Sequence, residues 1–206
     1  MTRELIADRV VHVVGIGLGI AAAVVLVLVT AIDGGPGDLV PILIYAFGLL
    51  AMLGCSAAYN VFHTSMRRGW LRRFDHAAIF AMIAGTYTPF TTRLAGSWAA
   101  GLTAAIWAIA AAGIVLKLWQ PRRIETISIV LYLALGWIGL AALGPFLAAL
   151  DGRTLALLAL GGIVYTAGVV FHLWQRLPYQ NAIWHGFVLV AASVHYVAVI
   201  GLVVGT

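Results

Sequence analysis

Val10–Ile32 reads VVHVVGIGLGIAAAVVLVLVTAI, 23 residues without a lysine, an arginine or an acidic side chain. A helix needs about 20 mostly apolar residues to cross the hydrocarbon core of a bilayer. The apolar core of a signal peptide is only about 7–15 residues long. The stretch is therefore a first membrane-spanning helix, closed by Asp33-Gly34-Gly35-Pro36-Gly37-Asp38. Working outward from it, apolar runs divided by charged or turn-forming residues place further helices at 39–62, 75–92, 97–118, 125–149, 154–174 and 181–204. With 10–32 these make an all-α bundle of seven transmembrane helices, a single polytopic membrane domain over residues 1–206.

Composition supports lipid as the solvent. Hydrophobic residues make up 63% of the chain and charged residues 9%, with a mean hydropathy of +1.05, against about 25% charged residues in soluble domains. Too little polar surface remains to coat a water-soluble globule, and seven spans leave no room for a soluble domain. The net charge of +5 resides in short interhelical loops, which reads as topology and not as a nucleic-acid surface. With the N-terminus in the cytoplasm, the inner segments carry Arg3, Arg9, Arg67, Arg68, Arg72, Arg73, Lys117, Arg122, Arg123 and Arg176, and the outer ones only Arg93 and Arg153. That bias predicts a multi-pass protein of the inner (plasma) membrane, with its C-terminus on the opposite side. The single cysteine, Cys55, excludes an intramolecular disulfide and reads as a small packing residue. Gly15, Gly17 and Gly19 read as helix-packing positions, and Trp70, Trp98, Trp119 and Trp184 as interface anchors.

Polar side chains inside a span are functional candidates, because lipid offers them no partner. Ser56 and Asn60 end the second helix, Asp75 and His76 open the third, Asn181 and His185 open the seventh, and His12 lies early in the first. The predicted topology puts all of them in the cytoplasmic leaflet. His195, ten residues beyond His185, lies about 15 Å deeper. Ser56 and Asn60 are i and i+4, as are Asn181 and His185, so each pair shares a helix face. Such a set suits either a polar packing or proton-handling cluster or a metal site. Amides are weak zinc ligands, which leaves His185 and Asp75 as the good ones.

The stretches Phe74-Asp75-His76-Ala77-Ala78-Ile79-Phe80, Ala84-Gly85-Thr86-Tyr87-Thr88-Pro89-Phe90 and Ala182-Ile183-Trp184-His185 resemble the hemolysin III family, related to the progestin and adipoQ receptors. Leu131-Tyr132-Leu133-Ala134-Leu135-Gly136-Trp137, Leu177-Pro178-Tyr179 and the pair Glu4 and His12 support the resemblance, which covers nearly the whole chain. It implies a seven-helix bundle with a cytoplasmic N-terminus and a zinc site near that face. The family's serine falls on Ser56, its aspartate on Asp75 and the second of two paired histidines on His185. The two remaining family histidines fall on Asn60 and Asn181. His63, one turn beyond Asn60, is a substitute donor, and His76 and His12 are others.

Three classes of function follow. The first is a family-type membrane protein whose polar cluster is a weakened or lost zinc site and fixes helix register. The second, carried by the resemblance, is a zinc-dependent hydrolase of a lipid amide, with Asp75 handling the attacking water, Ser56 supporting it and His185 holding the metal. The third is an ion- or proton-conducting or bilayer-modulating protein. The expected partners are membrane lipid and a lipid-like small molecule, not nucleic acid. No serine lies in a Gly-x-Ser-x-Gly elbow, so a serine triad has no support.

Overall fold

The computed structural model describes residues 2–35, 37–62, 64–119 and 125–205. They form helices α1 (Arg3–Asp33), α2 (Leu39–Val61), α3 (Arg68–Thr91), α4 (Ser97–Trp119), α5 (Glu125–Gly136), α6 (Leu143–Ala149), α7 (Gly152–Leu173) and α8 (Gln180–Val204). A 3-10 turn, Ile138–Ala142, joins α5 to α6. Among the described residues, six segments are long and apolar enough to cross a membrane: α1, α2, α4, the composite Ile127–Ala149, α7 and α8. Large apolar side chains such as Val13, Leu28, Phe47 and Val170 are exposed on their outer faces, as a surface solvated by lipid requires.

The seventh segment, α3, falls outside that group, although its length matches. It packs between α2 and α4, with Asp75 two turns in, beside Ser56 near the end of α2, and Arg93 just past its C-terminus. There Arg93 pairs with Asp38 at 2.9 Å. Being surrounded by protein relieves α3 of the need to be apolar. Thr86 and Thr88 are buried, each donating its hydroxyl to the carbonyl four residues back. Gly48 and Gly85 bring α2 and α3 together. A Cβ on Gly48 would lie 3.0 Å from the Ala81 carbonyl, and one on Gly85 3.1 Å from that of Ile44.

Three expected spans need correction; the third, expected over 75–92, begins seven residues earlier, at Arg68. The first helix begins at Arg3 and not at residue 10. Thr2 caps it, its hydroxyl accepting from the Leu5 N–H, and Glu4 in the first turn complements the helix dipole. The stripe Asp8, His12, Gly15, Gly19, Ala23, Leu26, Thr30 is buried along its whole length. At Gly19 an added Cβ would run into the Leu53 side chain, whereas Gly17 faces open space. Only part of the glycine pattern therefore serves packing.

The fifth span, expected as one helix over 125–149, is broken after Gly136. Backbone groups freed inside a bilayer must find partners, and Tyr87 supplies them. Its hydroxyl donates to the Gly136 carbonyl at 2.5 Å and accepts from the Gly139 N–H at 3.2 Å. The Trp137 indole is anchored on Thr166 of α7 at 3.1 Å. Trp184 departs from the expected interface belt: it packs on His172 with ring centroids 5.0 Å apart and lines the interior. Trp70, Trp98 and Trp119 are exposed at helix ends.

Candidate functional site

The start of α1, the end of α2, the start of α3, the end of α4 and the start of α8 gather at one end of the bundle. Cross-links tie these termini together. The Tyr179 N–H donates to Glu4 at 3.2 Å, and Arg73 donates to the Leu118 carbonyl at 2.9 Å. Gln180 donates to the His172 carbonyl at 2.8 Å, and Tyr132 to that of His76 at 2.8 Å. Beneath them lies a cavity of about 1040 Å³, lined at this end by Ser56, Asn60, Asp75, Asn181 and His185 and deeper by apolar residues such as Met82, Phe90 and Phe146. That volume is at the upper end for ligand pockets.

The tightest polar grouping at this end was not expected as a set. Asp8 of α1 meets His185 of α8, with Oδ1 2.6 Å from Nδ1. Its other oxygen lies 3.7 Å from His12 Nε2. The imidazole centroids are 4.4 Å apart. Candidate ligand atoms of all three residues lie within 4.8 Å of one another. Asp8 is 3% exposed and His12 6%. Because an ionised carboxylate only accepts, His185 donates to it through Nδ1, which in the neutral ring leaves the lone pair on Nε2.

The sequence-predicted residues surround this group. Asp75 accepts a hydrogen bond from Ser56 and lies in the field of His185, His12 and Arg72. Asn60 turns its amide nitrogen back to the Ser56 carbonyl at 3.0 Å, so that side chain is committed within α2. Asn181 lines the cavity, and His63 lies outside the described residues. His76 is drawn toward α4, its Nδ1 3.3 Å from Lys117 Nζ. His195 belongs to a separate deeper layer, where its Nε2 meets the Leu158 carbonyl at 3.2 Å.

Asp8 was missed because the first helix was started too late, which left the carboxylate in a tail. The signal was present: Asp8 and His12 continue, at i and i+4, the same stripe as Gly15 and Gly19.

Whether a metal suits these residues can be tested on the donor set. His12 Nε2 is buried and lacks a hydrogen-bond partner among the described residues. One carboxylate and two imidazoles form a good zinc set. Asp8, His12 and His185 fit the group. The set expected from the sequence, His185 and Asp75 with Asn60 and Asn181 at the family positions, offers only two good donors, because the other two are amides.

Six segments long and apolar enough to cross a bilayer among the described residues, with large apolar side chains exposed on their outer faces, define the chain as a multi-pass membrane protein. The family model described as "Haemolysin-III related" matches residues 3–196. "Hemolysin-3 homolog" of Bacillus subtilis (strain 168) is 35% identical over 199 residues, 96% of this chain and 93% of that protein. "Hemolysin-3" of Bacillus cereus is 33% identical, covering 99% and 94%. The human "Monocyte to macrophage differentiation factor" is 32% identical over 165 residues, 76% of this chain and 67% of that protein. The chain belongs to the haemolysin III family.

Proposed function

We propose that this protein is a membrane-embedded, metal-dependent hydrolase of a lipid amide. Its cation ligands would be Asp8, His12 and His185, in place of the expected set of His185 and Asp75 with Asn60 and Asn181 at the family positions. The observation that carries the reading is the Asp8–His12–His185 cluster, with its orphaned His12 Nε2, at the end of a cavity large enough for an acyl chain. Zinc held by these residues would supply a water of lowered pKa and would polarise the scissile carbonyl. Asp75, beside Ser56, is the remaining carboxylate at the site among the described residues; it would take the proton of the attacking water and return it to the departing amine as the C–N bond breaks. The apolar wall aligns the chain and keeps bulk water out. Charge bias supports placing this end at the cytoplasmic face of the plasma membrane. A cysteine at position 67, in a Cys55→Ser background, should react only with reagents that reach the cytoplasm.

Elemental analysis of purified protein tests the assignment. About one zinc per chain is expected in the wild type, with strong depletion in His12→Ala, and release of fatty acid from a lipid amide should fall with the metal. Wild-type protein without metal, or hydrolysis unaffected by His12→Ala, would overturn it.

The 2.6 Å contact between Asp8 and His185 favours a second reading, in which the carboxylate is a metal-free lock between two imidazoles and the cluster only fixes helix register. That reading expects no metal in the wild type, and metal only in an Asn60→His plus Asn181→His variant.

A further inference from the structure

The wall of the cavity carries polar groups at a second level, away from the Asp8–His12–His185 cluster. Tyr165 of α7 and His195 of α8 both line it, with ring centroids 5.7 Å apart. His195 follows His185 by ten residues, which sets the two levels about 15 Å apart along α8. Close packing fixes the imidazole. A Cβ on Gly161 of α7 would collide with its ring, and the Leu158 carbonyl of the same helix lies 3.2 Å from its Nε2. A carbonyl only accepts, so His195 donates through Nε2, and in the neutral ring the lone pair rests on Nδ1.

The Tyr165 hydroxyl is buried and has no hydrogen-bond partner among the described residues. The same holds for Tyr45 of α2, a fully buried side chain in the field of Tyr165 and Tyr196. A buried polar group without a partner is costly, and native structures keep few of them. Two in one neighbourhood, one of them on a cavity wall, point to a bound polar group. A charged head is ill suited to this depth, where ionised groups are expensive. A hydroxyl fits, because it can accept from Tyr165 and donate to His195 Nδ1.

We propose that Tyr165 and His195 form a second, deep subsite that receives a hydroxyl carried partway along the chain of a lipid-like ligand. Its distance from the metal cluster, set by the helix rise, is roughly the reach of a dozen extended methylenes. The inference rests on the reading of the cavity as a lipid site but not on the presence of metal.

The test is equilibrium binding to the full chain in nanodiscs, with affinities expressed per lipid and a chelator present so that no bound cation contributes. The probes are 12-hydroxystearate, 2-hydroxystearate and stearate. The 12-hydroxy chain should bind about fivefold or more tightly than stearate, as expected for gaining a neutral hydrogen bond, and the 2-hydroxy chain should show no such gain. Tyr165→Phe keeps the ring and should bring the preference close to unity, without lowering the thermal midpoint of the unliganded protein. His195→Leu should also reduce the preference, and it decides the matter if Tyr165→Phe does not fold. Equal binding of 12-hydroxystearate and stearate, a gain shown by the 2-hydroxy chain instead, or a preference untouched by the variants overturns the subsite while the cavity reading stands. A lower midpoint in Tyr165→Phe also overturns it, since the hydroxyl would then have a partner within the protein. If none of the three probes binds, both readings fall.

Discussion

The Asp8 carboxylate and the His185 imidazole, 177 positions apart in the chain, meet at 2.6 Å inside the bundle. The contact joins the first helix to the last and places His12, one turn beyond Asp8, against the same ring. Because Asp8 is almost entirely shielded, it cannot exchange its partner for water without opening the bundle.

A double-mutant cycle on Asp8→Asn and His185→Gln, in metal-free protein, should therefore give a coupling of about 1.5–3 kcal/mol, the range for hydrogen bonds to charged groups. Reversible unfolding in mixed micelles measures it. A coupling near zero would show that the two side chains do not share a bond in solution.

Tyr87 holds both sides of the break in the fifth span. Tyr87→Phe keeps the ring and removes only the hydroxyl, leaving the Gly136 carbonyl and the Gly139 N–H without it. A loss of about 1–3 kcal/mol is expected for two hydrogen bonds of ordinary net strength, read as a lower midpoint in thermal unfolding. An unchanged midpoint would mean that the break is supported by other contacts.

Gly48 marks the closest approach of α2 to α3, with backbone atoms of Ala81 and Met82 at 3.0 and 3.3 Å from where its Cβ would stand. Backbone cannot rotate aside as a flexible side chain can. Gly48→Leu should destabilise the protein by about 1–3 kcal/mol, as overpacking does. Gly17→Leu, at a position facing open space, should be close to neutral in the same unfolding assay.

Asp151 caps α7 outside the spans. Its carboxylate accepts from the Thr154 hydroxyl at 2.6 Å and from the N–H groups of Thr154 and Arg153. These bonds, the Thr154 hydroxyl foremost, hold its pKa below the ordinary value of 3.8. A carboxyl depressed on folding stabilises the native state above its unfolded pKa, and that contribution disappears as pH falls through the folded one. The melting difference between wild type and Asp151→Ala should thus be full at neutral pH and should shrink only below about pH 4. A difference independent of pH would remove the cap from the argument.

Much of the fold was legible because lipid imposes a coarse rule: apolar runs of span length must be helices. The rule placed α2, α4, α7 and α8 within a few residues. It started α1 too late, because a helix that continues out of the bilayer stops being apolar while its caps and buried stripe go on. It also missed the interruption at Gly136, which depends on a hydroxyl 49 positions away. The sequence brought Ser56, Asn60, Asp75, Asn181 and His185 to one end, since helix ends and i,i+4 faces are local properties. It could not select Asp8, whose importance arises from docking α1 on α8.

By itself, then, the chain determined a helical membrane bundle and the end at which its polar residues collect, because hydropathy and charge act residue by residue. Tertiary structure alone decided which of those residues touch. The Asp8–His12–His185 cluster, the Tyr165–His195 contact and the Tyr87 clasp all follow from which helix faces pack together, and packing is a property of pairs of surfaces.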